Sequence, residues 1–130
     1  MAILPTATRV FAFSLLLLAG CASNVTYAPS NFAPLASDAS PHVIKLDKQV
    51  EIRLPTGYTR TLKAGSQWRF AGTVAQGDVY RAYQDVFTLE GAHVHEAYLV
   101  VASDYLTGFY LPVEHGFSPL DQKISFTFHQ

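Results

Sequence analysis

His93-Val94-His95-Glu96 is the stretch of this sequence where metal-ligating side chains crowd most closely. On a strand, alternate residues point to the same side, so His93 and His95 would share a face at a spacing that suits one metal ion. His115 or Glu114 would supply a third ligand. The match to a metal site is loose, because there is no helical His-Glu-x-x-His pattern and no neighbouring thiolate, and two histidines on a solvated face need no metal. For hydrolysis, an acid–base pair would be drawn from Asp85, Glu90, Glu96 and Glu114. Such a pair must stand ~5–10 Å apart, which spacing along the chain does not establish. No Gly-x-Ser-x-Gly elbow or phosphate-cradling glycine loop occurs, and Gly116-Phe117-Ser118 has the composition of a turn. The expectation is a non-enzyme, with His93 and His95 as its metal candidates.

Aromatic residues make up 13% of the chain. Most belong in the core, because a small domain needs large side chains to bury enough area. Trp68, Tyr80, Tyr83, Tyr98, Tyr105, Phe109 and Tyr110 fall in expected strands or beside turns. An exposed cluster of Tyr105, Phe109 and Tyr110 would form a partner or glycan face, since exposed apolar patches mark interaction sites.

Cys21 is the only cysteine, so no disulfide can close within the chain. It follows a segment laid out like an export signal. The amino terminus and Arg9 are positive, no acidic residue precedes Asp38, and Val10 to Leu18 form an apolar core ending in Ala19-Gly20. That core is too short to span a membrane, which takes roughly 20 apolar residues. Leu18-Ala19-Gly20-Cys21 resembles, at all its positions, the lipobox of bacterial lipoprotein precursors. The resemblance implies a diacylglyceryl group on the Cys21 sulfur, cleavage before Cys21 and acylation of the new amino terminus. Two or three acyl chains, at ~0.8 kcal/mol per buried methylene, make such attachment effectively permanent. Lipidation would leave no thiol for redox or metal chemistry, and no cofactor beyond the covalent lipid is expected. In the lipoproteins this resembles, Asp after the cysteine commonly signals inner-membrane retention. Ala22 stands there instead, which in a Gram-negative host implies the outer membrane of the cell envelope, facing the periplasm.

The net charge is −1, and no run of Lys or Arg offers a footprint for nucleic acid. The expected partners are the membrane, through the lipid, and another envelope protein or peptidoglycan. Residues 21–41 are rich in Ala, Ser, Asn and Pro, with Pro29, Pro34 and Pro41 spaced along them. Each proline removes a backbone donor and turns its predecessor away from helix. This segment is expected to be a flexible linker of roughly 25 Å reach, with Tyr27 and Phe32 its only aromatics. The division is therefore a signal peptide over 1–20, a lipidated linker over 21–41 and a β-rich domain over 42–130.

Within 42–130 the apolar pattern has period two. Ile44, Leu46, Val50, Ile52 and Leu54 alternate with polar residues, which suggests one long or bent strand. Trp68, Phe70 and Val74 open an expected hairpin whose loop, 75–78, would pair Val74 with Val79 and set Gly72 opposite Arg81, giving the long side chain room. Residues 79–89 carry helical spacing, but their Val, Tyr, Phe and Thr favour a strand with a bulge near Gln84-Asp85. Ala97 to Ala102 is apolar on both parities, the mark of a central strand. A turn at Ser103-Asp104 leads to a strand over 106–111, a Gly/Pro loop over 116–119, and a last strand carrying Ile124, Phe126 and Phe128. About seven short antiparallel strands suggest a small all-β sandwich or barrel.

Overall fold

A computed structural model describes residues 23–130; the signal-like residues 1–20 and Cys21 lie outside the described residues. In chain order the strands are β1 (Ala28–Pro29), β2 (Ala33–Pro34), β3 (Val43–Leu46), β4 (Val50–Arg53), β5 (Thr59–Leu62), β6 (Gln67–Val74) and β7 (Gly77–Ala82). They continue with β8 (Thr88–Glu90), β9 (Val94–Glu96), β10 (Tyr98–Ala102), β11 (Tyr105–Leu111), β12 (Gly116–Ser125) and β13 (Phe128–His129). The expected all-β antiparallel class holds, with no helix among the described residues. The principal sheet runs β1-β12-β11-β10-β7-β6-β3-β13, with β2 beside β6, while β4–β5 and β8–β9 form separate hairpins. No closed barrel forms among these residues; the arrangement is that of a sandwich.

The alternation of side chains sorts the core. Leu99 and Val101 of β10, Leu106, Phe109 and Leu111 of β11, Trp68 of β6 and Tyr80 of β7 share one cluster with Ile52, Leu62 and Leu89 from the two hairpins. Val100 and Tyr110, on the opposite parity, join Val74 and Val79 in a second cluster. As expected, β10 is central, with Leu99, Val100 and Val101 all buried. Its turn into β11 puts Ser103 and Asp104 at φ 49° and 64°, the left-handed pair that suits a tight hairpin.

Several local expectations need correction. The alternating stretch 43–54 is two strands: β3 pairs with β6 in the principal sheet, and β4 pairs with β5 outside it. Asp47-Lys48-Gln49 makes the corner, where Asp47 N–H donates to Thr127 O, and Leu46 and Val50 stay buried on either side. The β6–β7 hairpin turns at Ala75-Gln76, pairing Val74 with Gly77 and Phe70 with Tyr80. A bulge between Phe70 and Gly72 absorbs the odd residue, keeping Trp68, Phe70 and Tyr80 on one face. Residues 79–89 are neither helix nor one bulged strand. β7 stops at Ala82, a turn follows with Gln84 at φ 54°, and Asp85 Oδ1 accepts from Val86 N–H before β8 begins. The expected loop at 116–119 is the start of β12; Pro119 fits because its partner is Gly108, where the ladder is irregular.

The largest correction concerns the linker. Val25 is 7% exposed and belongs to the main core. Ala28 and Pro29 pair with Phe117 and Gly116, and Ala33 and Pro34 pair with Thr73 and Gly72. Residues 25–35 are thus a strap on the domain rather than a free tether. Prolines permit this, since Ser30 N–H and Leu35 N–H face the sheet and the nitrogens of Pro29 and Pro34 fall on the outward side, where no donor is needed. The glycine at 72 serves the strap and not Arg81. Its φ is +152°, and a Cβ there would stand 2.2 Å from Ala33 O and 2.9 Å from the Phe32 ring.

The strap also sets the curvature of the sheet. Five strands, β12, β11, β10, β7 and β6, lie between β1 and β2. Laid flat, at roughly 4.8 Å per strand, they would hold β1 and β2 about 29 Å apart. The chain from Pro29 to Ala33 can span at most about 14 Å. The sheet therefore curls toward the strap, which ties the margin of β12 to the flank of β6 through covalent chain.

Candidate functional site

The strap covers only part of the face it crosses. Ser30 N–H donates to His115 O at 3.0 Å, and Leu35 N–H donates to Ala71 O at 2.9 Å, fixing each side. Between them Phe32 stacks on Tyr110, ring centroids 5.0 Å apart and planes 20° from parallel. Beside this stack an open groove of about 580 Å³ is lined by Phe32, Tyr98, Tyr110, Pro112, His115 and Asn31. The Arg81 guanidinium lies 5.6 Å from the Tyr98 ring centre, a cation–π contact. Tyr110 OH stands 3.5 Å from His115 Nδ1. Burial raises the Tyr110 hydroxyl pKa above its ordinary value, with Tyr98 adding to the shift, so the phenol remains neutral and able to donate. Ring faces flanked by an imidazole and a carboxamide suit a ligand that stacks an apolar face and hydrogen-bonds at its edge.

The metal candidates do not converge. His93 is exposed and precedes β9, so the expected alternation with His95 starts one residue too late. His95 lies on β9 opposite Leu89, with its Nδ1 2.6 Å from Glu114 Oε1. The Tyr27 ring meets His95 edge-on at 6.5 Å. His115 turns to Tyr110 instead. Among the described residues no three His, Cys, Asp or Glu side chains come together as a metal set. His95 and Glu114, expected as ligands of a shared metal, instead contact each other. That pair links the 112–115 turn to the β8–β9 hairpin, and Glu114 Oε2 is buried without a hydrogen-bond partner. Of the other carboxylates considered for acid–base work, Asp85 caps its own turn.

The aromatic face expected from Tyr105, Phe109 and Tyr110 does not form. Tyr105 is 38% exposed, but Phe109 and Tyr110 are only 1% and 2% exposed and belong to opposite faces of β11. The reason is topological: β11 lies between β10 and β12 with both faces covered, so neighbouring residues bury in both directions. Tyr105 instead carries Lys123 Nζ over its ring at 4.4 Å. The groove was missed because half of it comes from the supposed linker. Its signal was there in Phe32, a large aromatic among small residues.

No family model matches the chain, and neither the curated proteins nor the solved structures include a match to it.

Proposed function

We propose that this chain is a lipoprotein of the bacterial cell envelope, held by acyl chains on Cys21 at the outer membrane and facing the periplasm. Its β-domain acts without catalysis, by contact with another envelope protein or with peptidoglycan. The observation that carries the reading is Leu18-Ala19-Gly20-Cys21 behind the apolar run Val10 to Leu18. The groove beside the strap supports the contact role, since stacked rings edged by His115 and Asn31 suit a sugar face or an extended peptide. The alternative, a small-ligand module, is better supported by this groove than by His93 and His95.

Both halves are open to test. In a host that processes lipoproteins, Cys21→Ala is expected to abolish labelled palmitate uptake and to shift the protein out of the membrane fraction. A variant still cleaved and membrane-bound would end the anchor reading. A photo-crosslinking residue at Asn31 is expected to trap a defined envelope protein or glycan fragment that the same residue at Lys48 does not. No product specific to position 31 would remove the contact role.

A further inference from the structure

The linker's conversion into a strap changes where the domain must sit. Ser23 O accepts from Ala92 N–H at 3.0 Å, and Val25 is buried two residues later. A Cβ on Gly91 would lie 2.8 Å from Ser23 O and 3.2 Å from the Thr56 methyl carbon. Thr56 Oγ1 donates to Glu90 O at 2.9 Å. The chain thus leaves the domain where two turns meet: Pro55–Tyr58, joining β4 to β5, and Gly91–His93, leading into β9. Those turns and their flanks carry two exposed apolar side chains, Tyr58 at 40% and Val94 at 67%.

Ser23 is two positions beyond Cys21, so the link between them spans at most about 7 Å. The headgroup layer on each side of a bilayer is itself roughly 5–8 Å thick. A domain tied this closely cannot stand clear of that layer. We infer that the Pro55–Tyr58 turn and the Gly91–Val94 segment form the membrane-facing end of the domain and rest in the lipid headgroups. This rests on acylation of Cys21, as proposed above. The occupant of this end is the bilayer that holds the acyl chains. Tyr58 suits it, with an apolar ring and a hydroxyl that can remain hydrated. The end opposite is marked by Lys48. β4 and β5 pair from Arg53↔Thr59 to Val50↔Leu62, and Lys48 lies beyond the Val50 side, away from the Pro55–Tyr58 turn. The domain therefore stands on the membrane in one orientation instead of swinging on a tether.

The test uses the full chain, processed in a lipoprotein-competent host and returned to phosphatidylethanolamine–phosphatidylglycerol vesicles. Tyr58→Cys, Val94→Cys and Lys48→Cys each carry a bimane fluorophore, and the vesicles contain a lipid with a nitroxide on its headgroup. Quenching is expected to be several-fold stronger at positions 58 and 94 than at 48. Equal quenching at all three positions, on protein whose mass includes the acyl chains, would overturn the orientation and leave the anchor standing. Protein whose mass lacks acyl chains would overturn both. A long Gly/Ser insertion between Ala22 and Ser23 is expected to erase the difference without disturbing the fold. Persistence of the difference would overturn the claim that the short link sets the orientation.

Discussion

The two faces of the principal sheet are covered in unlike ways. One face is sealed by two hairpins and by Phe126, so Ile44, Ile52, Leu99, Leu106 and Leu111 have essentially no exposure. The other is covered by a strap held through two short ladders and one ring stack, leaving a groove at its side. Both use the same strands, and in β10 and β11 even neighbouring residues. The first face is built for stability, since its contacts are many and redundant. The second concentrates its cohesion in a few contacts, where a single side chain can matter.

Breaking the first face should cost most. Phe109→Ala is expected to destabilise the domain by about 3–5 kcal/mol, the usual cost of emptying a large buried ring site, measured by urea unfolding. A loss no larger than that of a strap mutation would mean the two faces are equivalent. Gly72→Val is the next test, because its Cβ would stand 2.2 Å from Ala33 O. It is expected to cost about 1–3 kcal/mol and to speed amide exchange across residues 28–35, while Ile44 and Leu99 stay protected. Global loss of protection would show that residues 28–35 are as integral to the main core as Val25. Phe32→Ala sharpens the contrast further. Loss of its stack on Tyr110 is expected to cost about 1 kcal/mol, with the change in exchange confined to the strap.

The smallest effect is expected in alkali. Tyr110 has a hydroxyl pKa raised above its ordinary value of 10.0, first by burial and then by Tyr98. Tyr80 is raised likewise, first by burial and then by Asp78. A raised folded-state pKa means that the native state holds its proton more tightly than the unfolded chain. The stabilising contribution is complete below pH ~10 and is lost as pH rises through the folded value. Tyr110→Phe is expected to narrow the gap between unfolding midpoints at pH 8 and at strongly alkaline pH. An unchanged gap would assign the loss elsewhere.

Much of this architecture was legible in local pattern. The parity of 97–102 announced a central strand, and the run from Ile44 to Leu54 identified five core positions although it crosses between sheets. Register was less legible, because a bulge after Phe70 and a turn two residues shorter than the expected loop give similar hydropathy. The strap was illegible for a physical reason. Its strands are only two residues long, its prolines mimic a linker, and its partners lie far away in sequence at Gly72 and Gly116. The same gap hid the groove, whereas the supposed aromatic face of Tyr105, Phe109 and Tyr110 failed because β11 is central, leaving one exposed residue and two core residues.

The strap also dictates an order of assembly. It is synthesised before the strands it ties, and Phe117, its partner at Ala28, follows 89 positions later. Contacts so distant in sequence close late, after local hairpins have formed. Until then the outer margin of β12 and the flank of β6 near Gly72 are unpaired edges, which are templates for association between chains. The first residues of the domain to be made are thus among the last to settle, and their arrival ends its most aggregation-prone interval.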